Sequence, residues 1–223
     1  MLADDSSLDD RARSRVASVM GTSHAVFVRA RDRGPVGLRF FTAAGELPAC
    51  GHGTVAALAF LATRDRELRA ELRTAARSFS GSAIRHRECV EASFDAGLAA
   101  VRRATGAERD LVLAAFGSES EIVTTGISAA SLGRERLLVP LRSRSALTVL
   151  TPNLDCLREG CDRLGLLGCY VYSVPSTTGR LSARMFAPSI GVFEDIANAN
   201  STACLAAMLA QGGASDRGIT CRR

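Results

Sequence analysis

The sequence predicts an α/β protein, α+β in the arrangement of its elements, made of two pseudo-symmetric halves. Each half is a mixed sheet wrapped around a central apolar helix. Three observations predict this. Strand-like alternation and helical stretches succeed one another along 223 residues, the pattern of mixed rather than all-helical or all-strand folds. Residues 55–62 and 201–210 lack charge on every side, and a helix apolar all round belongs in the interior, so both are expected to be buried on every face. Each of these helices also follows a similar strand end, Arg39-Phe40-Phe41-Thr42 in one case and Arg184-Met185-Phe186-Ala187 in the other. The offset is 145 residues at the strand and 148 at the helix, so the unit repeats with a slightly longer connection.

In chain order, Ser6 caps a first helix with Asp9 and Asp10 in its opening turn. Leu8, Ala12, Val16, Val19 and Met20 share its apolar face, and Gly21 ends it. Residues 24–29 (HAVFVR) make a strand. Val36, Leu38 and Phe40 alternate with Gly37, Arg39 and Phe41 in a second, and Asp32-Arg33-Gly34-Pro35 turns between them, so the pair is a hairpin. Cys50-Gly51-His52-Gly53-Thr54 opens the first apolar helix, set at residues 53–64, and further strands follow within 70–94. The first half is thus placed at 1–95 and the second at 96–223. The second half carries strands at 137–141 and 169–174, a helix at 154–164 capped by Asn153, and the second apolar helix at 201–211.

Composition narrows the function. The chain is 47% apolar with a mean hydropathy of +0.10, enough to fold against the entropy of ordering a backbone. No apolar run reaches the ~18 residues a bilayer crossing needs, which excludes an integral membrane helix. All 28 basic residues are Arg and the net charge is +5. Such a bias is what GC-rich codons produce. The nearest thing to a basic patch, Arg134, Arg136, Arg142 and Arg144, is interleaved with Glu135 and an apolar strand and has no aromatic platform. It reads as a solvated strand edge, not as a nucleic-acid surface. Seven Cys with no C-x-x-C pair, and three His, argue against a metal site. With no signal-peptide pattern at the start, a cytoplasmic protein with reduced thiols is expected.

The chemistry falls at the two helix starts. Small residues there leave backbone N–H groups exposed at the positive end of the helix dipole, which favours an anion. The starts are Gly51-His52-Gly53-Thr54 and Asn198-Ala199-Asn200-Ser201. If they face one ligand, a carboxylate is the simplest. Cys50, His52 and Asp195 are the titratable groups beside them. Each also has a plain structural reading: Cys50 as a small buried apolar group, Asp195 as a partner for loop amides, His52 as a structural histidine.

These residues resemble a known family. Leu38-Arg-Phe-Phe-Thr42 with Glu46-Leu-Pro-Ala-Cys-Gly-His-Gly-Thr54 is similar to the first signature of the phenazine-biosynthesis PhzF-like isomerases, R-I-F-T-P…E-L-P-F-A-G-H-P-T. Arg184-Met-Phe-Ala-Pro188 with Gly191-Val-Phe-Glu-Asp195 resembles the second, R-x-F-A-P…G-x-x-E-D-P-A-T-G-S-A. Residues 136–143 and 146–154 look like the intervening segments. The resemblance implies the diaminopimelate epimerase fold, an active site in the cleft between its halves, and no cofactor or metal. It implies that Gly51, His52 and Asp195 touch substrate, that Gly53, Thr54, Asn198, Asn200 and Ser201 line the site, and that the second helix start cradles a carboxylate. The family's acid/base Glu lies in an S-E-T-x-F-V strand, and here Ser23-His24-Ala25-Val26-Phe27-Val28 puts His24 in that place. Histidine also shuttles protons near neutral pH. Cys50-Gly51-His52-Gly53 resembles the first catalytic-cysteine motif of proline racemases and hydroxyproline epimerases, but Asn198-Ala199-Asn200 supplies no second thiol.

The expected activity is a cofactor-independent isomerase that shifts a proton and a double bond on a small unsaturated or cyclic amino or hydroxy carboxylate, in secondary metabolism. Alternatives are a racemase or epimerase using Cys50 as a base, and a non-catalytic carboxylate-binding or scaffold protein. Against the family pattern Met1 aligns after the usual first strand and Arg223 before the usual last strands, as expected either of a shortened member or of a clipped reading frame, and strand edges exposed in this way would favour a homodimer.

Overall fold

A computed structural model of the chain describes residues 8–29, 34–63, 66–117, 121–176, 179–195 and 198–211. They divide into two units between Gly97 and Leu98, each with its own six-stranded sheet.

The first helix starts later than the Ser6 cap predicts, and Ser6 lies outside the described residues. Asp9 is the cap. Its carboxylate accepts the Ala12 amide at 2.7 Å, and α1 runs Asp10–Val19. A carboxylate caps as well as a hydroxyl and adds favourable charge at the helix start. The predicted hairpin follows, β1 (Ala25–Arg29) antiparallel to β2 (Val36–Thr42). A short β3 (Gly45–Leu47) then doubles back on β2 and leads into α2 (Gly51–Leu61). That helix carries the chain to β4 (Glu67–Arg73), which pairs parallel with β2. β5 (Ser78–Arg85) and β6 (Val90–Phe94) complete the order β1-β2-β4-β5-β6.

Period-two alternation decides which helix each strand residue meets. Val26, Val28, Leu38 and Phe40 pack with Ala57 and Leu58 of α2. Ala25, Phe27 and Phe41 point to the opposite face and pack with Ala17 of α1.

The second unit contains β7 (Ala100–Arg103), α3 (Gly106–Phe116), β8 (Ser128–Leu132), β9 (Arg134–Leu141), α4 (Arg144–Val149) and α5 (Leu154–Leu164). β10 (Cys169–Ser173), β11 (Ala183–Ala187), β12 (Val192–Asp195) and α6 (Ala199–Gln211) follow. The strand order is β12-β11-β10-β9-β8-β7, with β9 and β10 parallel. Leu137, Val139, Cys169 and Val171 face α3 and α5. Leu138, Tyr170, Met185 and Ala187 face Cys204 and Leu205 of α6.

The repeat read from the sequence is visible inside each unit. Arg39 on β2 donates from Nε and Nη2 to Glu46 on β3 at 2.8 and 2.6 Å, with its guanidinium 5.0 Å from the Phe41 ring centre. Arg184 on β11 donates from Nε and Nη2 to Glu194 on β12 at 2.8 Å each, 4.9 Å from Phe186. Both are bidentate pairs, the strongest form of this contact. Each pins a short return strand ahead of a helix.

Two expectations need correction. The central helices are not buried on every side: in α2, Ala56 is exposed and Phe60 is 42% exposed, and α6 buries only Ser201, Cys204 and Leu205. The strands cover one side of each helix, and the outer positions mix Ala with larger side chains such as Phe60 in α2 and Met208 in α6. The basic stretch is not a solvated edge either. β9 lies inside its sheet, and Arg136 shares the inward face of Leu138, leaving it 2% exposed. The helix starts also shift, from the expected 53 and 201 to Gly51 and Ala199.

Candidate active site

In the first unit, three predicted residues come together at the start of α2. His24 stands immediately before β1, and counting in twos places it on the Val26 and Val28 face, toward α2. Its ring meets that of His52 edge-to-face, with 4.5 Å between centroids. Cys50, in extended conformation at the helix cap, makes no side-chain capping bond. Its Sγ lies 3.4 Å from His52 Nε2 instead. His24 Nδ1 is 2.9 Å from Ser23 Oγ, which orients the ring.

Glycine at position 53 permits this packing. A Cβ there would lie 2.9 Å from Val26 Cγ2 and 3.0 Å from both Cys50 Sγ and Phe40 Cδ1. Gly51 is buried. Thr54 braces the helix start, its hydroxyl donating to the Cys50 carbonyl at 2.8 Å. The low His count and cysteine spacing argued against a metal site. The fold nevertheless brings one potential ligand atom each from His24, Cys50 and His52 within 4.8 Å of one another.

In the second unit the predicted residues form a capped turn. Asn198 Oδ1 accepts the Ser201 amide at 2.9 Å, and Asn198 Nδ2 donates to Asp195 Oδ2 at 2.8 Å. Asp195 is buried at the end of β12 and Asn200 is half-buried. Ser201 is fully buried, with its Oγ 3.2 Å from Arg136 Nη1 and 3.6 Å from Met185 Sδ. Thr202 repeats the part of Thr54, donating to the Asn198 carbonyl at 3.1 Å, and pairs with the Tyr170 hydroxyl at 2.8 Å.

Arg136 was not anticipated here. Its Nη2 donates to the Arg134 carbonyl at 2.8 Å, Nε has no hydrogen-bond partner, and burial pushes the guanidinium below its usual pKa. The signal for it was an Arg in register with the inward-facing Leu138 of an apolar strand.

A predicted epimerase of Pseudomonas aeruginosa has a solved structure that superimposes with a TM-score of 0.82 at 28% identity, over 98% of this chain and 77% of that one. The architecture is the diaminopimelate epimerase-like fold, and relatives named isomerases and epimerases define the class as an isomerase. Residues 1–222 match the phenazine biosynthesis-like (PhzC-PhzF) family, and the chain belongs to it. An uncharacterized isomerase of Deinococcus radiodurans is 31% identical, over 96% of this chain and 71% of its own length. Trans-2,3-dihydro-3-hydroxyanthranilate isomerase of Pseudomonas fluorescens is 29% identical over 95% and 72%. Among the described residues no helix is long and apolar enough to cross a membrane.

Proposed function

We propose that this isomerase moves a proton, and with it a double bond, on a small unsaturated or cyclic amino or hydroxy carboxylate. The observation that carries the reading is the pair of imidazoles, 4.5 Å apart, at a helix start whose cap residue, Cys50, makes no side-chain capping bond. His24 takes a proton from carbon, the electron pair spreads into a dienolate, and the proton returns at a second carbon. Charge and atoms balance without a redox partner, so no cofactor enters. Amides of the first turn of α2 favour the developing negative charge. His52 positions the substrate or reprotonates it; in the second unit the α6 start beside Asp195 favours a carboxylate as well. The name of the Pseudomonas fluorescens relative supports dihydro-hydroxyanthranilate-like compounds as first candidates. The all-Arg coding bias supports a GC-rich, secondary-metabolite setting, in which we place the chain as a cytoplasmic homodimer.

The test is incubation with such carboxylates in D₂O. Deuterium should appear at carbon and the ultraviolet spectrum should shift, and His24→Ala and Asp195→Ala should slow both. If both variants exchange as fast as the wild type, the mechanism is wrong.

One contact favours a second reading. Cys50 Sγ at 3.4 Å from His52 Nε2 is an arrangement in which the imidazole can draw off the thiol proton. An epimerase using Cys50 as its base would invert a stereocentre without a spectral shift and would be inactivated by thiol alkylation.

A further inference from the structure

The cluster at the α2 start has a donor set that proton transfer alone does not require. We propose that His24, Cys50 and His52 form a binding site for a zinc-type divalent transition metal, with two imidazoles and one thiolate as ligands and an open coordination position.

Two nitrogens and a sulfur suit a borderline cation and not magnesium or calcium, which take oxygen ligands. The spacing is close to what such an ion needs. A tetrahedral zinc with ordinary bond lengths holds its sulfur and nitrogen ligands about 3.6 Å apart, and Cys50 Sγ already lies 3.4 Å from His52 Nε2. All three ligand atoms fall within 4.8 Å of one another. Rotation of the His24 ring, which sits outside the β1 ladder, closes the remainder.

The surroundings are those of a metal site as well. Ser23 Oγ at 2.9 Å holds His24 Nδ1 and so assigns Nε2 to the cation, the outer contact that metal-bound histidines ordinarily make. On binding, the Cys50 thiol loses one proton to solvent as the sulfur–metal bond forms. Cys50 is buried, and the missing Cβ at Gly53 lets its sulfur lodge between helix and strand. Three protein ligands leave a fourth position for water or a carboxylate oxygen. The lone pair that His24 gives to a metal is the one it needs as a base. Resting on the proton-transfer reading, the cation is therefore an off-switch.

The experiment is titration of the metal-free full-length protein with Co²⁺. About one equivalent should bind with tetrahedral d–d absorption and a thiolate-to-cobalt charge-transfer band. Cys50→Ser should abolish that band, and His24→Ala and His52→Ala should each weaken binding at least roughly tenfold, with Ser23→Ala weaker by about tenfold. Cys89→Ser and His86→Ala, at the exposed pair of residues elsewhere in the unit, should change nothing. Absence of the band, its survival in Cys50→Ser, or its loss in Cys89→Ser overturns the site. Deuterium exchange with and without Zn²⁺ separates the two readings. Cobalt binding without exchange under any condition keeps the metal site and removes the proton transfer. Exchange without cobalt binding does the reverse.

Discussion

Arg136 shows how much one side chain can disclose. Its guanidinium is 2% exposed, its Nε is unpartnered, and no ion pair among the described residues includes it. Burying a cation without a counter-charge costs several kcal/mol, and an apolar side chain of similar volume in such a place often stabilises by about 1–4 kcal/mol. We therefore expect Arg136→Met to raise the melting temperature while lowering isomerase turnover, the combination expected where a residue is kept for function at the expense of stability. A lower melting temperature with turnover unchanged would make Arg136 a structural strut. Gly53 points the other way. Its missing Cβ would meet Val26, Cys50 and Phe40 at 2.9–3.0 Å, and overpacking of this kind costs about 1–3 kcal/mol. Gly53→Ala should lower the melting temperature and also disturb the Cys50–His52 contact, which thiol-alkylation rates will report. The sequence marked Gly53 as a small residue in a helix start. It could not show that the strand beneath makes glycine necessary, because Val26 is distant in the chain.

Elements were legible where local chemistry set them and obscure where tertiary contacts did. Asn153 caps α5 as read, its Oδ1 accepting the Cys156 amide at 3.0 Å, and the hairpin of β1 and β2 was plain from alternation and its turn. The first cap fell to Asp9 because three adjacent candidates compete within a few residues. α3 escaped notice although Thr105 and Glu108 form a reciprocal capping box, since its apolar positions do not form a clean stripe. The helix starts at α2 and α6 share a device that no local pattern announces: Thr54 and Thr202 donate to the carbonyl four residues back, at 2.8 and 3.1 Å. A buried hydrogen bond contributes about 1 kcal/mol net, with a larger penalty when the partner is stranded. Thr54→Val removes the donor at nearly constant shape, so it should destabilise by roughly 1–2 kcal/mol, read by urea denaturation. If Thr54 instead binds substrate, the same variant will raise KM with stability unchanged.

At the scale of the molecule, the repeat was readable because Arg39 and Arg184 each precede a Phe, a return strand and a helix. Its physical reason, the bidentate clasp of Glu46 and Glu194, was not, because no pattern announces which acid closes on which base. The Glu194 clasp and the α3 cap make stability depend on pH. The Arg184 guanidinium holds the Glu194 carboxyl below its usual pKa, and Arg102, with Nη2 at 2.7 Å, does the same for the buried Glu108. A carboxyl whose pKa is lower folded than unfolded contributes stability that is fully present above the unfolded value, about 4.3, and is lost as pH falls through the folded one. The melting temperature should therefore stay level from neutral pH to about 5 and fall below about 4. Glu108→Gln should lower it at pH 7 by the equivalent of about 1–3 kcal/mol, because it weakens both charge-assisted contacts of a buried group. Glu194→Gln should cost less, about 0–1 kcal/mol, since that carboxylate is 41% exposed and water screens its pair. Both variants should show a shallower acid limb than the wild type, because each has removed one proton-binding site that distinguishes folded from unfolded chain. An acid limb as steep in Glu108→Gln as in the wild type would show that this carboxylate does not couple protonation to folding.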